Sequence, residues 1–364
     1  MSSSQDLRRQ AGQLLVFGFD GLAVTPALQS ALQRLQPGGV ILFARNIESP
    51  VQTHSLLAEV QHFADERLFL CVDMEGGAVD RLKNVLAPAP SVAAVAASGR
   101  RALYREHGRL IGDAVRALGF NVDFAPVADL GAAASRSVMG SRTAGETPAS
   151  VASYVRGFLL GLKDSSILGC GKHFPGLGEA NLDSHLAMPV VGKPWRKLWQ
   201  EDLAPYRTLH RRMDFVMVAH CAYPEVTGDR TPASLSRQWI SEILRRRIGY
   251  KGLVVSDDLE MGGVLASATV GEAAVATIRA GSDLYLVCHK AERVEEAYEA
   301  VVREAENDPR FRLQVQTAAR RILALKRQSP AMLRRAAQRP TPLRVERLRK
   351  RLADFAGQLP AAGL

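Results

Sequence analysis

At 364 residues, 47% hydrophobic and 23% charged, the chain has an ordinary globular balance and enough length to bury a large core unaided. Its net charge of +10 admits a nucleic-acid partner. However, the late basic residues Arg320, Arg321, Lys326, Arg327, Arg334, Arg335, Arg339, Arg344, Arg347, Arg349, Lys350 and Arg351 have no aromatics between them. They read as a solvated helical face, so no nucleic-acid partner is expected.

The polar start, Met-Ser-Ser-Ser-Gln, predicts no secretory signal, and no apolar run is long enough to span a bilayer. Cys71, Cys170, Cys221 and Cys288 form no CxxC pair and sit in apolar contexts, which reads as buried free thiols in a cytoplasmic protein.

In chain order, eight β-rich apolar runs recur: Leu14 to Phe19, Gly39 to Phe43, Leu68 to Val72, Val122 to Val127, Ile167 to His173, Phe215 to His220, Leu253 to Asp257 and Leu284 to Cys288. Helical patterns separate them at Pro26 to Leu35, Val51 to Ala64, Ala102 to Leu118, Ser150 to Leu162, Trp195 to Arg211, Ser236 to Ile248 and Gly271 to Ala280. Near-continuous apolar strands alternating with amphipathic helices imply a parallel sheet covered by helices. Eight such units predict an α/β fold of the (β/α)8 TIM-barrel type, a single domain over residues 1–330, with an open sheet as the alternative. Ala291 to Lys326 reads as closing helices broken at Pro309. Residues 331–364 read as a basic C-terminal tail, helical from Arg344 to Phe355, with no core of its own.

The predicted strands end in chemistry: Asp73, Asp129, Lys172 with His173, His220, and Asp257 with Asp258. In a barrel these ends share one face, where active sites are found. Strand ends are also polar because they meet solvent, but that explains one or two such residues better than all of them.

Asp257, which ends the run Leu253 to Asp257, is placed to attack an anomeric carbon; from local sequence alone both aspartates could equally be helix caps. Gly171 to His185 carries Lys172 and His173, then a glycine-rich loop, then Asp183 and His185 two residues apart. An aspartate beside a histidine can orient the ring and move protons near neutral pH, although lone loop histidines are usually just solvent-exposed. In Val72 to Leu82, Asp73 can accept from sugar hydroxyls, Gly76 and Gly77 permit a tight turn, and Arg81 can donate; a cap and a surface arginine explain it equally well. Arg142, in Met139-Gly140-Ser141-Arg142, could reach the cleft or only solvent.

Together these segments resemble glycoside hydrolase family 3, and within it the bacterial β-N-acetylglucosaminidases (β-N-acetylhexosaminidases) of cell-wall recycling. The match runs from about Gln13 to Lys326 and rests on Ser256-Asp257-Asp258-Leu259 with Met261, on Lys172-His173-Phe174-Pro175-Gly176 followed by Asp183-Ser184-His185, and on Pro232 to Ser236. The resemblance implies a nucleophile at Asp257 and an acid/base dyad of His185 and Asp183. It implies sugar binding by Asp73, Arg81, Arg142, Lys172 and His173. It also implies a retaining exo-hydrolase acting on muropeptide-derived N-acetylglucosamine, with no metal or organic cofactor. A monomer is expected. The chain departs from the family pattern at Met74, Ala78, Ala144, Leu177 and Glu179, where the sugar's surroundings and the leaving-group preference are decided.

Three rival functions stay open from the sequence. A histidine proton donor leaves room for phosphate as acceptor, hence a β-N-acetylglucosaminide phosphorylase. His173, His185, Asp183 and Asp257 could ligate zinc in a metal-dependent hydrolase, although no HxH or HExxH spacing supports it. The third is a non-catalytic glycan-binding barrel.

Overall fold

The computed structural model describes residues 4–135, 139–180, 188–334 and 337–360. Eight strands close into a parallel barrel: β1 Leu15–Phe17, β2 Gly39–Leu42, β3 Phe69–Val72, β4 Val122–Asp123, β5 Leu168–Phe174, β6 Phe215–Val218, β7 Leu253–Asp258 and β8 Leu284–Val287. Neighbours in sequence are neighbours around the ring. The register Val16↔Leu286 closes β8 onto β1. All eight apolar runs thus became barrel strands, and the open-sheet alternative is set aside. The fourth is shorter than its apolar run: it stops at Asp123, and Val127 joins the sheet only through an isolated bridge to Lys172.

Five of the described helices start where the sequence supplies a cap and a proline together. Thr25, Ser49, Thr147, Asp308 and Thr341 each accept a backbone N–H from the first turn, and each is followed by a proline at the first helical position. The side chain satisfies a donor with no intrahelical partner, and the proline lacks an N–H that would need one. The run expected as one helix from Trp195 to Arg211 is two, Trp195–Gln200 and Ala204–Leu209. An N-terminal helix, Ser4–Gln13, was not expected from the sequence. The closing pair, Ala291–Asn307 and Pro309–Gln328, breaks at Pro309 as expected.

The barrel interior is aliphatic and aromatic, with Phe215 meeting Phe69 and Phe124 edge-on at 5.2 and 6.1 Å. Outside it, the helices Arg101–Ala117 and Pro148–Asp164 touch backbone to backbone: a Cβ on Gly108 would lie 2.1 Å from the Phe158 carbonyl oxygen. All four cysteines are buried and unpaired. Among the described residues, no helix is long and apolar enough to cross a membrane.

The N-terminal end of the barrel is closed by Lys326, which is 2% exposed, donates to Gln13 Oε1 at 2.8 Å and sits 4.9 Å from the Phe69 ring centre. Burial lowers its pKa to about 7 against an ordinary 10.5. Below pH 7 both folded and unfolded chains hold this proton. Between pH 7 and 10.5 only the unfolded chain does, so this group makes stability rise with pH across that window. Urea midpoints at pH 7 and pH 9 should therefore show a smaller rise for Lys326→Met than for the wild type; equal slopes would exclude the effect.

The C-terminal segment does more than its charge suggested. Its helix Pro342–Ala356 buries Val345, Leu348, Leu352 and Phe355 against the barrel's helical shell, so it shares the core instead of standing in solvent. Phe355 stacks on His107 with ring centres 5.7 Å apart, and burial lowers the pKa of His107 to about 3, so the stacked ring stays neutral. Arg349 and Arg351 donate to the Val85 carbonyl and Asp113. Phe355→Ala should cost about 3 kcal/mol of stability, read from urea unfolding, whereas an appendage would cost nothing.

Candidate active site

The C-terminal ends of the strands bring together Asp73 after β3, Lys172 and His173 at the end of β5, His220 after β6 and Asp257 at the end of β7. β3 continues into a hairpin, Met74–Gly76 with Val79–Asp80. Gly76 and Gly77 turn it with φ of +89° and +61°, conformations that favour glycine. The hairpin aims Glu75 inward. Lys172 Nζ lies 2.7 Å from both Asp73 and Glu75, and Arg142 makes a two-pronged pair with Glu75 at 2.8 and 2.9 Å.

Glu75 is fully buried. Burial alone would push its carboxyl up, but Lys172 and Arg142 outweigh that and bring it to about 2. Burial pushes Lys172 down, while Asp73 and Glu75 hold it well above the usual ammonium range. Beneath them Asp123 accepts the Met74 N–H at 2.9 Å. Burial, with a smaller push from the neighbouring Asp73 and Glu75 charges, raises its carboxyl well above the ordinary range. The result is a balanced set of two carboxylates and two cations, with the buried Asp123 beneath them.

Asp257 is partly buried. Its Oδ1 accepts the Asp258 N–H at 2.9 Å; among the described residues Oδ2 has no partner. Burial pushes its pKa up, but His173, the Asp258 N–H and Lys172 together hold it below the ordinary value, so it is ionised at neutral pH. Asp258 points elsewhere, and it does not cap the following helix. Its Oδ1 takes the N–H groups of Glu260 and Cys288, tying the turn to β8.

Two buried histidines flank Asp257. Asp129 Oδ2 accepts from Nδ1 and the backbone N–H of His173 at 2.7 and 3.1 Å, and its Oδ1 accepts the Leu177 N–H. His220 Nε2 donates to the Asp258 carbonyl at 2.9 Å, and the Ser234 hydroxyl then donates to Nδ1 at 2.7 Å. Burial lowers the pKa of His220, so it is neutral and its ring is held at both ends. That places the Pro232–Ser236 segment behind the site.

Arg81 is carried to the same rim, where its guanidinium lies 5.6 Å from the Phe43 ring centre; its Nε is buried and has no hydrogen-bond partner among the described residues. The loop after β5 is anchored by Lys193, which pairs with Glu179, Glu201 and Asp202 at 3.1, 2.7 and 2.7 Å. Ala144 lines a hollow of about 350 Å3 beside Arg142. Asp183 and His185 lie outside the described residues.

Glu75, Asp123 and Ser234 were not singled out by the sequence, and Asp129 was read only as a strand end. The available signal for Glu75 was its position two residues after Asp73 in a predicted turn. For Asp129 and Ser234 nothing local distinguishes a residue that orients a histidine from an ordinary loop polar group.

The glycosyl hydrolase family 3 N terminal domain matches residues 6–325. A beta-hexosaminidase of Pseudomonas aeruginosa (strain LESB58) is 36% identical over 290 residues, 79% of this chain and 86% of that protein. The solved β-N-acetylglucosaminidase of Paenibacillus sp. str. FPU-7 superposes with a TM-score of 0.88 at 34% identity, covering 96% of this chain and 68% of that one. NagZ from Neisseria gonorrhoeae, solved in complex with N-trifluoroacetyl-D-glucosamine, superposes with a TM-score of 0.77 at 29% identity, covering 95% and 97%.

Proposed function

The chain belongs to glycosyl hydrolase family 3 and is a glycoside hydrolase; we propose that it is a retaining exo-β-N-acetylhexosaminidase that releases terminal N-acetylglucosamine from muropeptide fragments. The observation that carries this reading is Asp257: an ionised carboxylate on a rigid strand end with Oδ1 held and Oδ2 without a partner among the described residues, beside a charge-balanced cradle of Asp73, Glu75, Lys172 and Arg142. The hexosaminidase names of the relatives and the glucosamine derivative bound to NagZ support the choice of sugar.

Asp257 Oδ2 attacks the anomeric carbon and forms a glycosyl ester as the bond to the leaving oxygen breaks. His185, oriented by Asp183, gives its proton to that oxygen. It then takes one from water, which attacks the same carbon and frees Asp257; two inversions retain the β configuration. Asp73 with Lys172, and Arg142 with Arg81, offer acceptors and donors to sugar hydroxyls, and His173, locked by Asp129, presents its remaining ring nitrogen. The enzyme acts as a cytoplasmic monomer without a cofactor.

The test is release of 4-nitrophenol from its β-N-acetylglucosaminide and from its β-glucoside, with and without phosphate. Release from the N-acetyl sugar alone, with free β-sugar as the first product, is expected. A sugar phosphate as product would make the protein a phosphorylase. Absence of turnover with sugar still bound would make it a binding protein.

A further inference from the structure

At the end of the barrel opposite the catalytic mouth, arginines from three separate segments converge on a hollow of about 340 Å3. Arg116 comes from the last turn of the helix Arg101–Ala117, and Arg334 follows the short helix Pro330–Leu333. Arg344, Arg347 and Arg351 come from the C-terminal helix. The helices Arg101–Ala117 and Pro148–Asp164, whose ends carry Arg116 and Asp164 into the hollow, lead into the N-terminal ends of β4 and β5, which sets the hollow away from Asp257.

The hollow's two carboxylates are already paired. Asp164 is held by Arg105 at 2.7 and 2.9 Å, and Asp113 takes Arg351 at 2.9 Å and the Ser165 hydroxyl at 2.7 Å. Among the described residues, Arg344 and Arg347 make no ion pair, and Nη2 of Arg351 is buried without a hydrogen-bond partner. Burial, then Arg334 and Arg344, push the Arg116 guanidinium below its ordinary pKa, the direction that mutual repulsion gives.

The apolar face of the C-terminal helix forces this arrangement: burying Val345, Leu348, Leu352 and Phe355 turns Arg344, Arg347 and Arg351 towards Arg116 and Arg334. An anion there would offset the repulsion. Guanidinium forks match phosphate oxygens two at a time. The hollow is small, and none of its lining residues is aromatic, which suits a compact anion better than a stacked strand. Four of the five arginines lie beyond the residues matched by the family model.

We propose that this arginine hollow binds a small, multiply charged phosphate-type anion, such as the diphosphate group of a metabolite. The site is independent of the catalytic reading.

Inorganic pyrophosphate is the probe, titrated calorimetrically into the full chain at constant ionic strength, with thermal unfolding in parallel. Saturable binding at one site and a rise in Tm are expected. The double variant Arg344→Gln, Arg347→Gln should weaken binding at least about tenfold while leaving glycoside hydrolysis unchanged. Arg347→Lys, which keeps the charge but not the fork, should weaken it by less. Arg303→Gln with Arg310→Gln, the same charge loss on the helices after β8, should leave binding intact. Absence of saturable binding by the wild type overturns the proposal. So does equal weakening in the Arg303 and Arg310 variant, which would make the effect one of bulk charge. Tight retention of a DNA duplex that pyrophosphate does not displace would show an extended polyanion surface and overturn it too.

Discussion

Asp257→Ala should lower kcat for the 4-nitrophenyl N-acetylglucosaminide by at least about a thousandfold, some 4 kcal/mol of barrier, with the fold intact. The reason is geometric as well as electronic. Asp257 stands at the end of β7, paired on both sides by β6 and β8, and its Oδ1 is fixed by the Asp258 N–H. No described carboxylate can replace it: Asp258 is bound to the turn and β8, Glu75 to Lys172 and Arg142, and Asp129 to His173. The small cavity left by the substitution admits azide. Added azide should therefore restore part of the turnover and give a glycosyl azide of inverted configuration. Retention of more than about a tenth of the wild-type rate, little over one kcal/mol of barrier, would remove Asp257 from the nucleophile's role.

The second large effect belongs to Lys172→Met. The side chain has nearly the same length, but Asp73 and the buried Glu75 lose the ammonium between them. Uncompensated buried charge of this kind costs about 3–5 kcal/mol. Arg142 still holds Glu75, which places the expectation near the lower figure. The pH dependence identifies the cause. In the wild type the Glu75 carboxyl is brought from an ordinary 4.5 to about 2. Its contribution to stability is present above pH 4.5 and is lost as the pH falls towards 2. The deficit of Lys172→Met in urea unfolding should be largest above pH 4.5 and shrink below it, as protonation relieves the unpaired carboxylate in the variant. A deficit that does not change with pH would point to packing instead of charge. KM should rise in parallel, because Lys172 and Asp73 both belong to the proposed sugar-binding set and the loss of Lys172 releases Asp73 from its position.

The architecture was legible because barrel formation is a repeated local event. Each of the eight apolar runs had to become a strand buried on both faces, and each amphipathic stretch between them had to cover it. The strand-end position of Asp257, Lys172 and His173 followed from the same alternation. Helix starts were equally local, since a cap and a proline need only their own first turn. The C-terminal helix was also visible in the chain, but its destination was not. Val345, Leu348, Leu352 and Phe355 define an apolar face without naming the surface that will bury it, and the surrounding arginines suggested solvent.

What the tertiary structure alone decided was pairing between residues far apart in sequence. Glu75 meets Arg142 across 67 positions, Asp73 meets Lys172 across 99, and Asp129 meets His173 across 44. Charges can be read from a sequence, but the energy of a buried charge depends on which partner closes the distance. Whether Glu75 is a buried anchor or a solvent-exposed turn residue, and whether His220 is a neutral ring locked by Ser234 or a titrating base, was therefore settled only when the barrel brought its strand ends together.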